Sequence, residues 1–208
     1  HDFGADLEGD DAVPALKRIR ERAVAEPVAL GLDDWIRVRR RVHGAASEKV
    51  ENLLFLAMDL DPDPERTRLR QAIKDNDLAT MLDLASPEKL GKLGPGSIFV
   101  LSAELWDRHP EHRPDVYRMY DQALQLYPGD YVLQYVGGNI YQDAGRFQAA
   151  LAARNSALSL RPADMRTRMF VGQTQWSLGR LTEAEGVYRA CIAALPNVPT
   201  LAELGYPF

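Results

Sequence analysis

The sequence predicts an all-α protein, a solenoid of antiparallel helix pairs preceded by an irregular helical N-terminal half. Proline recurs at equal intervals, at Pro128, Pro162 and Pro196. Other residues keep the same beat: Gly138 with Gly172, Gly145 with Gly179, Ala150 with Ala184, and Leu124 with Leu158 and Ile192. Ala123, Ala157 and Cys191 form one more register, all small. A fixed period of this size marks helix–turn–helix units that cannot bury their apolar faces alone and therefore stack. Helical spacing dominates throughout, and no stretch alternates like a half-buried strand.

The elements follow in order. A first helix is expected over about residues 14–25, with Pro14 in its opening turn. The next starts after Asp33-Asp34, acids suited to a helix N-terminus, and Trp35, Val38 and Val42 should turn to the core. Val50, Leu53, Leu54, Ala57 and Met58 form an amphipathic stripe. Asp63-Pro64-Glu65 and Ser86-Pro87-Glu88 each set a capping residue before a Pro at the first helical position. Leu78, Met81, Leu82 and Ala85 mark a short helix between them. Gly91, Gly94, Pro95 and Gly96 break the pattern, which divides the chain into a helical segment, 1–94, and a repeat region, 95–208. The units read 97–130, 131–164 and 165–198, with a terminal segment 199–208. The first unit is degenerate. It carries Glu104 where the others have Gly138 and Gly172, and its turn is the Pro-rich run from His109 to Pro114. Its second helix, Val116 to Tyr127, fits the pattern. Gly145 and Gly179 suit a left-handed residue at a helix C-terminus. Gly138 and Gly172 sit inside helices, where close approach of the paired helix would offset their cost.

Composition narrows the function. The chain has 208 residues, 46% hydrophobic and 26% charged, with a formal charge of −5. Mixed charges with an acidic balance argue against a nucleic-acid surface, which needs a concentrated basic stripe. No apolar run reaches the length of a membrane-crossing helix, and His1-Asp2-Phe3-Gly4 lacks the features of a signal peptide. A first residue other than Met suggests a piece of something longer. The single cysteine, Cys191, excludes an internal disulfide and a cysteine-based zinc site, and its place in the small register assigns it to packing.

The repeating unit resembles the tetratricopeptide repeat, whose period it shares, and this implies a right-handed solenoid used to hold other proteins. Upstream, Leu32-Asp33-Asp34-Trp35, then Asp61-Pro62-Asp63-Pro64 with Arg66 and Leu69-Arg70, then Pro95 leading into a repeat helix stand in one order. This resembles the C-terminal region of planctomycete-type bacterial serine/threonine protein kinases, from about Phe3 to Asn197. The resemblance implies a parent kinase of which this chain is the non-catalytic part. No Gly-rich phosphate loop, ATP-binding Lys strand or His-Arg-Asp catalytic loop is present, and Asp2-Phe3-Gly4 matches the kinase magnesium triplet by letters only. Placement is expected to be cytoplasmic, or extracytoplasmic if a membrane segment precedes this region in the parent.

Candidate chemistry reduces to ordinary roles. Asp59, Asp61, Asp63 and Glu65 resemble the opening of a calcium loop, but Pro64 and Arg70 occupy the positions that need Gly and Glu. His109 and His112 have metal-compatible spacing without a third ligand nearby, and His43 has no nucleophile partner. Arg37, Arg39, Arg40 and Arg41 are expected on a solvated face. No catalytic residue, metal site or cofactor is expected, so the chain is read as a non-enzyme.

The informative positions are those on the inward side of each first helix, at its second, fifth, sixth, ninth, twelfth and thirteenth residues as the resemblance implies. In the middle unit they include Val132, Tyr135, Val136, Asn139, Gln142 and Asp143; in the last, Arg166, Met169, Phe170, Gln173, Trp176 and Ser177. Val136 and Phe170 also suit core packing. Tyr135, Asn139, Gln142, Arg166, Met169, Gln173 and Trp176 are the expected partner-binding groove for a peptide or protein segment. Chaperone-binding relatives clamp a chain-terminal carboxylate with Lys and two Asn. Asn139 matches one Asn, while Tyr135 and Phe170 replace the other two residues, so that clamp is not reproduced. Two readings stay open: an interaction or scaffolding module, and a structural spacer or self-association segment whose groove is filled by its own tail ending Tyr206-Pro207-Phe208.

Overall fold

The computed structural model describes residues 24–43 and 48–194, together with Lys17 and Ile19. Ten α-helices run through these residues: α1 (Ala25–His43), α2 (Glu48–Leu60), α3 (Pro64–Asp75), α4 (Leu78–Leu84), α5 (Pro87–Arg108), α6 (Arg113–Leu126), α7 (Tyr131–Asp143), α8 (Phe147–Leu160), α9 (Met165–Ser177) and α10 (Leu181–Ala194). No strand occurs among the described residues. Most of the helix expected over 14–25, His43's side chain, the segment 199–208 and Asp2-Phe3-Gly4 lie outside them. The chain forms two compact units, His1–Leu126 and Tyr127–Phe208.

In the N-terminal unit α1 packs on α2, α5 packs on α6, and α3 and α4 lean on α5. The starts of α3 and α5 lie where their Pro residues predict. Asp63 caps α3, its side chain accepting from the Arg66 amide at 2.9 Å. Ser86 precedes α5, but its hydroxyl makes no capping bond. Gly94 interrupts α5 with φ 73° and ψ 164°, so the Gly-Pro-Gly run appears as a kink inside one long helix.

Helix α1 corrects the sequence reading. Trp35, Val38 and Val42 are 46%, 39% and 67% exposed, whereas Ala29, Leu32, Asp33, Ile36 and Arg40 form the buried face. Nor is Arg40 solvated: it pairs with the buried Glu104 at 3.3 Å. The apolar period misleads because this core face carries ions. Arg70, fully buried, donates from Nε and NH2 to the two Asp33 oxygens at 2.8 Å each. Its NH1 and NH2 also reach the Asp61 carbonyl at 3.0 Å and carboxylate at 2.9 Å. Arg66 completes the cluster, binding both Asp61 oxygens at 2.6 and 2.7 Å. The network ties α1, the α2–α3 connection and α3 together. Burial works against the Asp61 carboxylate, but the hydrogen bonds from Arg66 and Arg70 outweigh it and hold the group below the ordinary range.

The C-terminal unit is two helix pairs. Helix α7 packs on α8, α8 on α9, and α9 on α10. Asp130 and Asp164, one period apart, cap α7 and α9; Asp130 accepts from the Leu133 amide at 2.8 Å. Gly145 and Gly179 have φ of 70° and 74° at the pair turns, and the next amides, Arg146 and Arg180, close back on Tyr141 and Gln175. A left-handed residue there lets each short turn reverse the chain without strain. Gly138 and Gly172 lie at the pair crossings. A Cβ on Gly138 would meet Arg154 Cγ at 2.6 Å, and one on Gly172 would meet the Tyr188 ring at 2.9 Å. Cys191 is buried, as its register with Ala123 and Ala157 predicts.

Candidate partner-binding face on α7 and α9

Helices α7 and α9 lie side by side in parallel, and three rungs show it. At the N-terminal end the Tyr131 hydroxyl donates to Asp164 at 2.6 Å. In the middle the Tyr135 and Phe170 rings stand 5.9 Å apart. At the C-terminal end Gln142 Nε2 donates to Ser177 Oγ at 2.9 Å. Tyr135 also stacks on Tyr131 at 5.9 Å, and Arg166 lies over both Tyr135 and Phe170 at 5.9 and 6.0 Å. Trp176 is 64% exposed, Met169 is 49% exposed, and Arg166 and Gln173 are exposed as well.

The expected groove residues therefore divide by role. Tyr135 is half-buried in an aromatic row whose far side is Phe170, so its ring builds the floor. Gln142 is spent on cross-links: its oxygen accepts from Arg154 and Thr174 while its nitrogen reaches Ser177. Asn139 accepts from Arg154 through Oδ1 at 3.2 Å. Arg166, Met169, Gln173 and Trp176 stand outward on α9.

The residue missed from the sequence is Arg154 of α8, only 2% exposed. Tyr120, Arg154 and Tyr188 share one register of the repeat, so an arginine occupies the place of a buried tyrosine one unit earlier and of the ring over Gly172 one unit later. That register was legible in the sequence. Arg154 donates to the Phe170 carbonyl at 2.8 Å, to Thr174 and to the Asn139 and Gln142 amide oxygens, and lies 5.1 Å from the Phe170 ring centre. No carboxylate within the described residues forms an ion pair with it. Burial pulls its pKa below the usual guanidinium value, against the opposing pull of the Asp143 carboxylate.

Asp164 holds the N-terminal end of this face together, accepting from the Arg166 and Thr167 amides at 3.2 Å each besides the Thr167 and Tyr131 hydroxyls. Asp164→Ala is expected to lower the stability of the C-terminal unit by about 1–2 kcal/mol, a lost cap together with the charge-assisted bond from the Tyr131 hydroxyl, which keeps only its 3.3 Å contact with Thr167 Oγ1. The bonds from Thr167 and Tyr131 hold its carboxyl below the ordinary range. Its contribution is thus complete above the unfolded carboxylate pKa of about 3.9 and is lost as pH falls through the lower folded value. Denaturation midpoints of wild type and variant, compared from neutral to acid pH, should converge; a constant gap would show that the charge is irrelevant.

Two helix pairs with capping acids, left-handed glycines and glycine crossings, all repeating in one register, define an all-α, right-handed solenoid of the tetratricopeptide-like class. The comparisons agree at the level of fold. A crystal structure of MamA, a tetratricopeptide-like helical protein, aligns over 85% of this chain and 98% of its own at 15% identity and a TM-score of 0.51. A second MamA crystal structure aligns over 74% and 91% at 16% identity and a TM-score of 0.50. A third, MamA AMB-1, aligns over 85% and 96% at 15% identity and a TM-score of 0.52. No protein-family model and none of the curated proteins matches the sequence.

Proposed function

We propose that the chain is a non-catalytic protein-interaction or scaffolding module that holds a peptide or protein segment on the strip formed by α7 and α9. The observation that carries this reading is the exposed row Arg166, Met169, Gln173 and Trp176 on a helix whose opposite side is locked into a stack. Aromatic and arginine side chains on a rigid support are the residue types that dominate binding hot spots. The tetratricopeptide-like fold fits protein partners, and among the described residues no helix is long and apolar enough to cross a membrane. The Asp33, Asp61, Arg66 and Arg70 cluster joins the two sequence strings that resemble planctomycete-type kinases. On that basis the chain is read as the C-terminal region of a larger serine/threonine kinase, with segments 1–94 and 95–208 as its parts.

Replacing Trp176 and Arg166 together by Ala should weaken capture of the partner by about 2 kcal/mol or more while leaving the melting midpoint nearly unchanged. Affinity capture with both forms, read by quantitative mass spectrometry, provides the measurement. A large loss of stability with unaltered capture would place the partner elsewhere and make Trp176 a packing residue.

A further inference from the structure

Resting on that reading, the geometry points to the chemistry of the occupant: the α7–α9 strip takes a segment bearing acidic side chains, whose carboxylate sits beside Arg166 and Asn139 above the buried Arg154. A guanidinium can only donate hydrogen bonds. The Asn139 and Gln142 oxygens therefore face Arg154, at 3.2 Å each, and their amide nitrogens face away. Gln142 Nε2 is taken by Ser177, whereas Asn139 Nδ2 has no hydrogen-bond partner among the described residues. The buried cation thus turns Asn139 into an outward donor. Arg166, exposed over the Tyr135 ring, supplies further donors on the same stretch.

Charge points the same way. Arg154 is buried and no carboxylate among the described residues forms an ion pair with it, although the chain as a whole is acidic at −5. The corresponding positions in the flanking units hold tyrosine, so the architecture itself does not demand an arginine there. An unpaired buried charge is costly, and a ligand carboxylate would compensate it. The strip is also polarised. Its N-terminal end carries Arg166, while its C-terminal end has Asp143, exposed one turn beyond Asn139 on α7, and the exposed apolar surface of Trp176 on α9. The acid belongs at the Arg166 end and an apolar residue at the Trp176 end. Side-chain carboxylates are favoured over a chain terminus because Tyr135 and Phe170 stand where a terminal-carboxylate clamp needs Lys and Asn.

The test is selection of a random dodecapeptide library, displayed with its C-termini blocked by fusion, on the full chain and its variants. Selected peptides should be rich in Asp or Glu paired with an apolar residue. Changing that acid to its amide in a synthetic, C-terminally amidated copy should cost about tenfold in affinity, the order expected of one charge-assisted contact. Arg154→Tyr and Arg154→Met should raise the melting midpoint yet erase the acid preference, and Arg154→Lys should retain it. A merely structural arginine would move the midpoint without moving that ratio. Selected peptides lacking acids, or an acid preference unchanged in both neutral variants, would overturn the inference and leave the interaction reading standing. Enrichment that persists in the Trp176→Ala, Arg166→Ala variant, or none on any form, would overturn both. If only copies with a free C-terminus bind, the ligand is a chain end and the side-chain assignment is wrong.

Discussion

Arg70→Met is expected to destabilise the N-terminal unit by about 3–5 kcal/mol, the cost of leaving buried charges without their partner. Arg70 is 2% exposed and makes four hydrogen bonds across α1, α3 and the α2–α3 connection. Asp61 keeps Arg66, so the stranded group is Asp33. Adding Asp33→Leu to Arg70→Met should therefore recover much of the loss, because an apolar replacement of a buried pair is often nearly neutral. The single variant should also depend on pH. Burial already pushes the Asp33 carboxyl up, against the pull of Arg70. Without that pull the folded pKa rises further above the unfolded value. A raised carboxyl contributes stability that is present at acid pH and lost as pH rises through the folded pKa. The deficit should then shrink on acidification. Chemical denaturation followed through Trp35 and Trp106, which lie in this unit, provides the measurement; a loss below about 1 kcal/mol would mean that the network is surface-like in energy.

The two units differ in how openly their sequences declare the fold. In the C-terminal unit the apolar, glycine and proline registers all report one period, so helix bounds, turns and crossings could be read directly. In the N-terminal unit the core face of α1 contains Asp33 and Arg40. Hydrophobic periodicity cannot detect a buried face whose polar members are paired with residues far along the chain, so it selected Trp35, Val38 and Val42 instead. The acids of the Asp61-Pro62-Asp63-Pro64 string were legible only as helix caps. Asp63 is one, but Asp61 turns inward to two arginines. The candidate face shows the same contrast. Exposure of Arg166, Met169, Gln173 and Trp176 follows from position in the repeat. The engagement of Gln142 and the orientation of Asn139 depend on Arg154, whose significance lies in the tyrosines on either side of it in the register.

The glycine crossings give the sharpest test of that register, because one chemical change should have unequal effects at two helical sites. Gly172→Leu should cost about 1–3 kcal/mol through overpacking. Its Cβ would lie 2.9 Å from Tyr188 Cε1 and 3.2 Å from Val187 Cγ1, contacts that the Tyr188 ring and the Val187 side chain must shift to relieve, with the rest of the leucine still to be placed in the α9–α10 crossing. Gly138→Leu should cost at least as much. There the obstacle is Arg154 Cγ at 2.6 Å, near the root of a side chain that hydrogen bonds hold in place. Gly186, in α10, is exposed, and a Cβ added there would have nothing within 4 Å. Gly186→Ala should accordingly stabilise by about 0.5–1 kcal/mol through backbone entropy alone, whereas Gly172→Ala should gain no such benefit because its methyl enters the crossing. Thermal and denaturant unfolding monitored by Trp176 would separate these cases. Equal effects of alanine at Gly172 and Gly186 would mean that the α9–α10 crossing is not close, and the repeat register drawn through Gly138 and Gly172 would fail with it.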